Sequence, residues 1–111
     1  MEHLERAGRF TAPEAGRGNH WVEHLRVPAV SVGTYSVPAG AEDTQRPHTE
    51  DEVYVVTAGT ATFVAGERRV PVRAGTVLFV PAAEAHRFVD VTEDLAVLVV
   101  FAPAEYTNAP R

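Results

Sequence analysis

Gly40-Ala-Glu-Asp-Thr-Gln-Arg-Pro-His48-Thr-Glu50-Asp-Glu52-Val-Tyr-Val-Val-Thr-Ala-Gly59 is the stretch from which the rest of the chain is best read. It sets His48, Glu50 and Glu52 directly ahead of a β-branched run, Val53 to Thr57. Residues at even separation on an extended chain share a face. An imidazole at His48 and a carboxylate at Glu52 therefore look into one cavity if the strand is already set at His48. A second island, Gly75 to Asp90, supplies another histidine, His86. Two neutral imidazoles and one carboxylate are the donor set of a divalent metal site with positions left open.

Outward from these islands the chain reads as short strands. His20–Val27 alternates, with Trp21 and Leu25 sharing one parity and His20 and His24 the other. Val30–Val37 is the next strand, turned by Pro38-Ala39-Gly40. Glu52–Thr57 ends at Ala58-Gly59, and Gly66-Glu67 joins Thr60–Ala65 to Arg68–Arg73 as a hairpin. Val77–Val80 stops at Pro81, and His86–Val91 precedes the apolar run Leu95–Phe101. This predicts an all-β jelly-roll barrel of about eight short strands. No helix longer than about two turns is expected, because no 3.6-residue period occurs. The expected organisation is an N-terminal arm over 1–19, a barrel over 20–102 and a tail over 103–111 that drapes on the surface.

Composition narrows the chemistry. At 111 residues the chain holds one domain with one core. A net charge of −5 gives no basic footprint for nucleic acid. Cysteine is absent, which removes disulfides and thiolate ligands. Every basic residue other than histidine is arginine, so no lysine is present for Schiff-base chemistry. The two serines lie outside any nucleophile-elbow pattern. No apolar run approaches the roughly 18 residues of a spanning helix, and Met1–Arg6 has no leader character. A soluble bacterial protein of the cytoplasm is expected, with no membrane and no nucleic-acid partner.

The two islands resemble the paired motifs of the cupin superfamily, G-x5-H-x-H-x3-E-x6-G and G-x5-P-x-G-x2-H-x3-N. Laid on Gly40, the first motif meets Arg46, His48, Glu52 and Gly59; laid on Gly75, the second meets Pro81, Ala83, His86 and Asp90. Spacing matches throughout, while residue type departs at Arg46, Ala83 and Asp90. The resemblance implies a cupin barrel, a homodimer, and one divalent ion (Fe, Mn, Ni or Zn) on His48, Glu52 and His86. It also implies a small organic molecule as ligand or substrate, with oxygenase or isomerase chemistry. The alternative is a non-catalytic cupin that binds a small molecule without metal.

Arg46 stands where the first motif histidine falls, and a guanidinium has no lone pair for a metal. It is instead a candidate to clamp a substrate carboxylate, or to pair with Glu52 or Asp90. Gln45, one residue back, carries an amide oxygen that could fill the missing position, against the parity of an extended chain. The substrate-binding candidates are Arg46, Gln45, Tyr54 and Phe88, with Tyr35, Phe63 and Phe79 as further wall. Glu50 is expected to face solvent from the turn, and His20 and His24 to be strand-face residues without a ligand role.

Overall fold

A computed structural model describes residues 1–110; residue 111, the last of the expected tail, lies outside them. Six strands form one antiparallel sheet: β1 (His20–Val27), β2 (Val30–Val37), β3 (Asp51–Ala65), β4 (Arg68–Arg73), β5 (Val77–Val80) and β6 (His86–Ala102). The strand order is β1-β2-β6-β3-β4, with β5 on β3, and the sheet does not close. There is no helix among the described residues.

The strand count is lower than expected because two pairs of predicted strands run together. Glu52–Thr57 and Thr60–Ala65 are one strand, β3, which carries β5 along its first half and β4 along its second. Its register against β6 slips at Val56/Ala58, Ala58/Thr60 and Thr60/Thr62, so the turn signal Ala58-Gly59 bends the strand instead of ending it. Gly59 sits at φ +86°, and a Cβ there would collide with the carbonyl oxygen of Asp94. Only glycine combines that backbone conformation with so close an approach. Likewise His86–Val91 and Leu95–Phe101 are the two halves of β6.

Alternation sorts the side chains as the pleat requires. Tyr54, Phe63 and Phe88 point into the core, their ring centroids 5.0–5.7 Å apart. Val37, Val56, Leu95, Val97 and Phe101 complete it. Burying each such side chain is worth about 1.5–3 kcal/mol. Phe79 has the opposite parity to Leu78 and Val80 and is 64% exposed, so it lies outside the cavity it was expected to line. In β1, a bulge at Glu23/Leu25 breaks the expected common face of Trp21 and Leu25. Trp21 pairs with Tyr35 but Leu25 pairs with Val32, and those partners differ in parity. Trp21 lies across Gly33, where a Cβ would strike its ring, and meets Phe101 edge-on at 6.2 Å.

The N-terminal arm is tied to the sheet at Gly8 and Thr11, whose amides donate to Thr34 Oγ1 (2.8 Å) and Ser36 Oγ (3.1 Å). The C-terminal segment is hydrogen-bonded to the barrel as well. Ala104 N donates to Pro28 O, Glu105 N to Ser31 Oγ, and Arg26 Nη1 to Glu105 O.

Candidate metal centre

His48 lies in the loop before β3, Glu52 on the second residue of β3, and His86 on the first residue of β6. Along the β3–β6 ladder Glu52 pairs with Phe101 and His86 with Ala65, so the three meet because the strands bend near Gly59 and not because Glu52 and His86 are neighbours in register. One ligand atom from each lies within 4.8 Å of the others. His48 and Glu52 line a cavity of about 460 Å³, together with Trp21, Tyr35, Val99 and Phe101 and with Arg46 and Tyr106, while His86 lies buried behind them.

The hydrogen bonds decide which atoms face inward. His86 Nδ1 is 2.7 Å from the Glu84 carbonyl oxygen, which can only accept. The proton of the neutral ring therefore sits on Nδ1, and Nε2 turns a bare lone pair toward Glu52 and Tyr54. His86 Nε2 lies 2.9 Å from Glu52 Oε1, a close contact out of hydrogen-bond alignment. Both Glu52 oxygens are buried and without a hydrogen-bond partner. Two acceptors at such a distance repel unless a cation, whether metal or proton, lies between them. Burial disfavours the His86 imidazolium, but the Glu52 carboxylate and the Glu84 carbonyl hold its pKa above the ordinary histidine value.

Tyr54 Oη is 2.8 Å from His86 Nε2 and donates to Gln45 Oε1, also at 2.8 Å. Burial and the adjacent Glu52 push its pKa well up, so it stays a phenol. His48 Nε2 is 3.3 Å from Gln45 Oε1 and 4.0 Å from Glu52 Oε2. Its other nitrogen, Nδ1, faces Glu105 Oε2 at 3.4 Å.

Glu105 is a site residue that sequence reading missed, because nothing local places the C-terminal segment at the barrel mouth. Glu50 is what anchors it there. Expected in solvent, Glu50 is 1% exposed and accepts the backbone N–H groups of Tyr106 (2.8 Å) and Asn108 (2.9 Å). The signal was its parity with His48 and Glu52, which argued for an inward side chain. The acidic setting Glu50-Asp51-Glu52 masked it.

The cupin domain family matches residues 33–101. An uncharacterized protein of Streptomyces coelicolor is 42% identical over 100 residues, spanning 90% of this chain and 95% of the relative. The chain belongs to the cupin family. Among solved structures, an RmlC-like cupin from Shewanella frigidimarina superposes with a TM-score of 0.75, at 20% identity, over 94% of this chain and 93% of that one. KdgF from Halomonas sp. superposes with a TM-score of 0.72, at 18% identity, over 82% of this chain and 85% of that one. At such identities these likenesses speak for the fold.

As a cupin, the chain keeps the motif backbone where it changes the motif residues. Ala83 and Asp90, in the motif's glycine and asparagine positions, adopt φ +66° and +51°. That left-handed region is what glycine and asparagine favour, and a non-glycine residue there costs on the order of 1 kcal/mol. Arg46 is exposed at the rim of the cavity. Gln45 and Tyr54 line the cavity, whereas Phe88 is 1% exposed and packs in the core against Tyr54 and Phe63. His24 Nε2 is hydrogen-bonded to Thr34 Oγ1 at 2.6 Å, away from the centre. No helix among the described residues is long and apolar enough to cross a membrane.

Proposed function

We propose that this cupin holds one divalent ion on His48, Glu52 and His86 and acts on a small organic anion in the adjoining cavity. The observation that carries the reading is Glu52: a carboxylate with both oxygens buried, no hydrogen-bond donor, and the His86 lone pair 2.9 Å away. The donor set fits a first-row divalent ion, iron, manganese, nickel or zinc, since imidazole and carboxylate suit all of them. When bound, such an ion supplies a Lewis acid with open positions, the requirement of both oxygenase and isomerase chemistry.

This chain's own residues supply the remainder. Trp21, Val99 and Phe101 form an apolar wall that takes the substrate body and excludes water. Among the described lining residues, Arg46 is the one permanent cation, placed to receive a carboxylate at the entrance. Tyr54 keeps its proton and orients Gln45 by donating it to the amide oxygen. The second reading, a metal-free binding module, puts a proton between Glu52 and His86; the raised His86 pKa favours it.

Calorimetric titration of chelator-treated protein with manganese, iron, nickel and zinc separates the two. One ion taken up per chain supports the metal reading; no uptake of any of the four leaves the binding module. Arg46→Ala should weaken a small dicarboxylate by about tenfold with metal uptake unchanged. Equal affinity in that variant would remove Arg46 from the binding site.

Assembly belongs to the same proposal. Val77 and Phe79 on β5 are 63% and 64% exposed and adjoin Val55 and Val53 on β3. That apolar strip is the surface we assign to a second copy in a homodimer, and the cytoplasm is its proposed setting. Light scattering should give a dimer for the wild type and a monomer for Phe79→Asp. A monomeric wild type at micromolar concentration would remove the dimer.

A further inference from the structure

We infer that Gln45 supplies a fourth protein ligand to the ion, through its amide oxygen, and that Asp43 is the positioning residue that aims it. The inference rests on the metal reading above and adds to it a residue outside the histidine–carboxylate set.

Asp43 is 7% exposed, and hydrogen bonds occupy both its oxygens. Oδ1 accepts the Tyr35 hydroxyl (2.7 Å) and the Gln45 backbone N–H (3.0 Å). Oδ2 accepts the Phe88 backbone N–H (2.8 Å) and the Gln45 side-chain amide (2.6 Å). An ionised carboxylate can only accept, so the Gln45 NH2 group must point at Asp43. Gln45 Oε1 is thereby turned the other way, toward His48 Nε2 at 3.3 Å and Tyr54 Oη at 2.8 Å.

The donor–acceptor balance at the centre then fails without a cation. With the His86 proton held on Nδ1 by Glu84, the inward atoms include His86 Nε2, both Glu52 oxygens and Gln45 Oε1, all acceptors. His48 Nε2 joins them if its proton faces the Glu105 carboxylate at Nδ1. Against these stands one hydroxyl proton, that of Tyr54. A single O–H cannot satisfy this many lone pairs in a buried site, whereas a metal ion takes several at once.

The same geometry accounts for Arg46. The chain turns so that Gln45, one residue earlier than the motif histidine, reaches inward while Arg46 reaches the rim. The parity objection to Gln45 fails because residues 41–48 are not a strand. A neutral amide oxygen leaves Glu52 the one anionic ligand among the four. A divalent ion so held keeps a net positive charge, and with Arg46 at the rim the cavity carries more positive than negative charge even with the Glu105 carboxylate in its wall, which favours an anionic substrate.

The test uses the full chain, stripped of metal and titrated with Co(II), following affinity by calorimetry and coordination by visible absorption. Gln45→Ala removes the oxygen; Gln45→Met removes it while keeping side-chain length, which guards against loss of packing. Both should lower Co(II) affinity by at least about tenfold and change the absorption spectrum. His86→Ala provides the reference for a lost ligand. Wild-type affinity and an unchanged spectrum in both Gln45 variants would overturn the inference alone. Gln45 would then be a hydrogen-bond acceptor for His48. A wild type that binds no Co(II) would overturn the metal reading and this inference with it.

Discussion

Replacing His48 and His86 together by alanine is expected to take bound metal from one ion per chain to none while leaving the barrel folded. Glu52 and Gln45 would remain, one carboxylate and one amide, which is too few donors to hold a transition ion against water. The fold should survive because the centre lies at the mouth of the barrel. The core is built elsewhere, from Val37, Val56, Phe63, Phe88, Leu95 and Val97. His86 does pack on Phe63 and Tyr54, with ring centroids 5.8 and 5.7 Å away, so a loss of about 2 kcal/mol is expected from the cavity left behind. Elemental analysis together with circular dichroism checks both halves. Stoichiometric metal retained by the folded double variant would place the ion elsewhere. In the wild type, affinity should fall on acidification, because only the neutral imidazole binds metal.

Glu50→Ala should cost about 3 kcal/mol of stability and loosen the C-terminal segment, although Glu50 is not itself placed on the ion. Hydrogen bonds to a charged group are worth about 1.5–3 kcal/mol each, and Glu50 accepts two from the backbone, at Tyr106 and Asn108. Those two bonds hold the segment that carries Glu105 to His48. Amide exchange at Tyr106 and Asn108 should therefore quicken in the variant. An unchanged urea midpoint with protected amides would show that Ser31, Pro28 and Arg26 hold the segment unaided.

The same residue gives a pH dependence with a definite sign. Burial opposes the Glu50 charge, but the Thr49 hydroxyl and the Asn108 and Tyr106 amides outweigh it, leaving the pKa below the ordinary value. In the window between the lowered folded pKa and the ordinary glutamate value of about 4.3, the unfolded chain binds more protons. Stability from Glu50 is thus fully present above the ordinary value and is lost as pH falls through the folded pKa. The stability gap between wild type and Glu50→Ala should be widest near neutrality and shrink as the solution is acidified through that window. A gap that is constant with pH would mean that Glu50 contributes no charge-assisted bond.

What the sequence determined by itself was local. Alternating β-branched runs and turn residues specified an all-β chain, and two motif islands at matched spacing specified a cupin. Motif spacing paired His48 with Glu52, whereas the parity argument did not apply, because His48 lies in the loop before β3. Even the departures at Ala83 and Asp90 were bounded by spacing, because the backbone needs a left-handed residue there whatever its side chain. Parity failed where the chain leaves the strand. Leu25 fell after a bulge, and Gln45 lay in a loop where alternation does not apply. Gly59 read as a strand end, although its close approach to Asp94 from the neighbouring strand makes it a bend. Three further facts came only from the folded structure, the last two from long-range contact. Asp43 turns the Gln45 amide, Glu50 captures the amides of Tyr106 and Asn108, and the captured segment brings Glu105 to His48. The partners in the last two are separated by more than fifty residues. Such contacts depend on how the strands pack, and no local period encodes them.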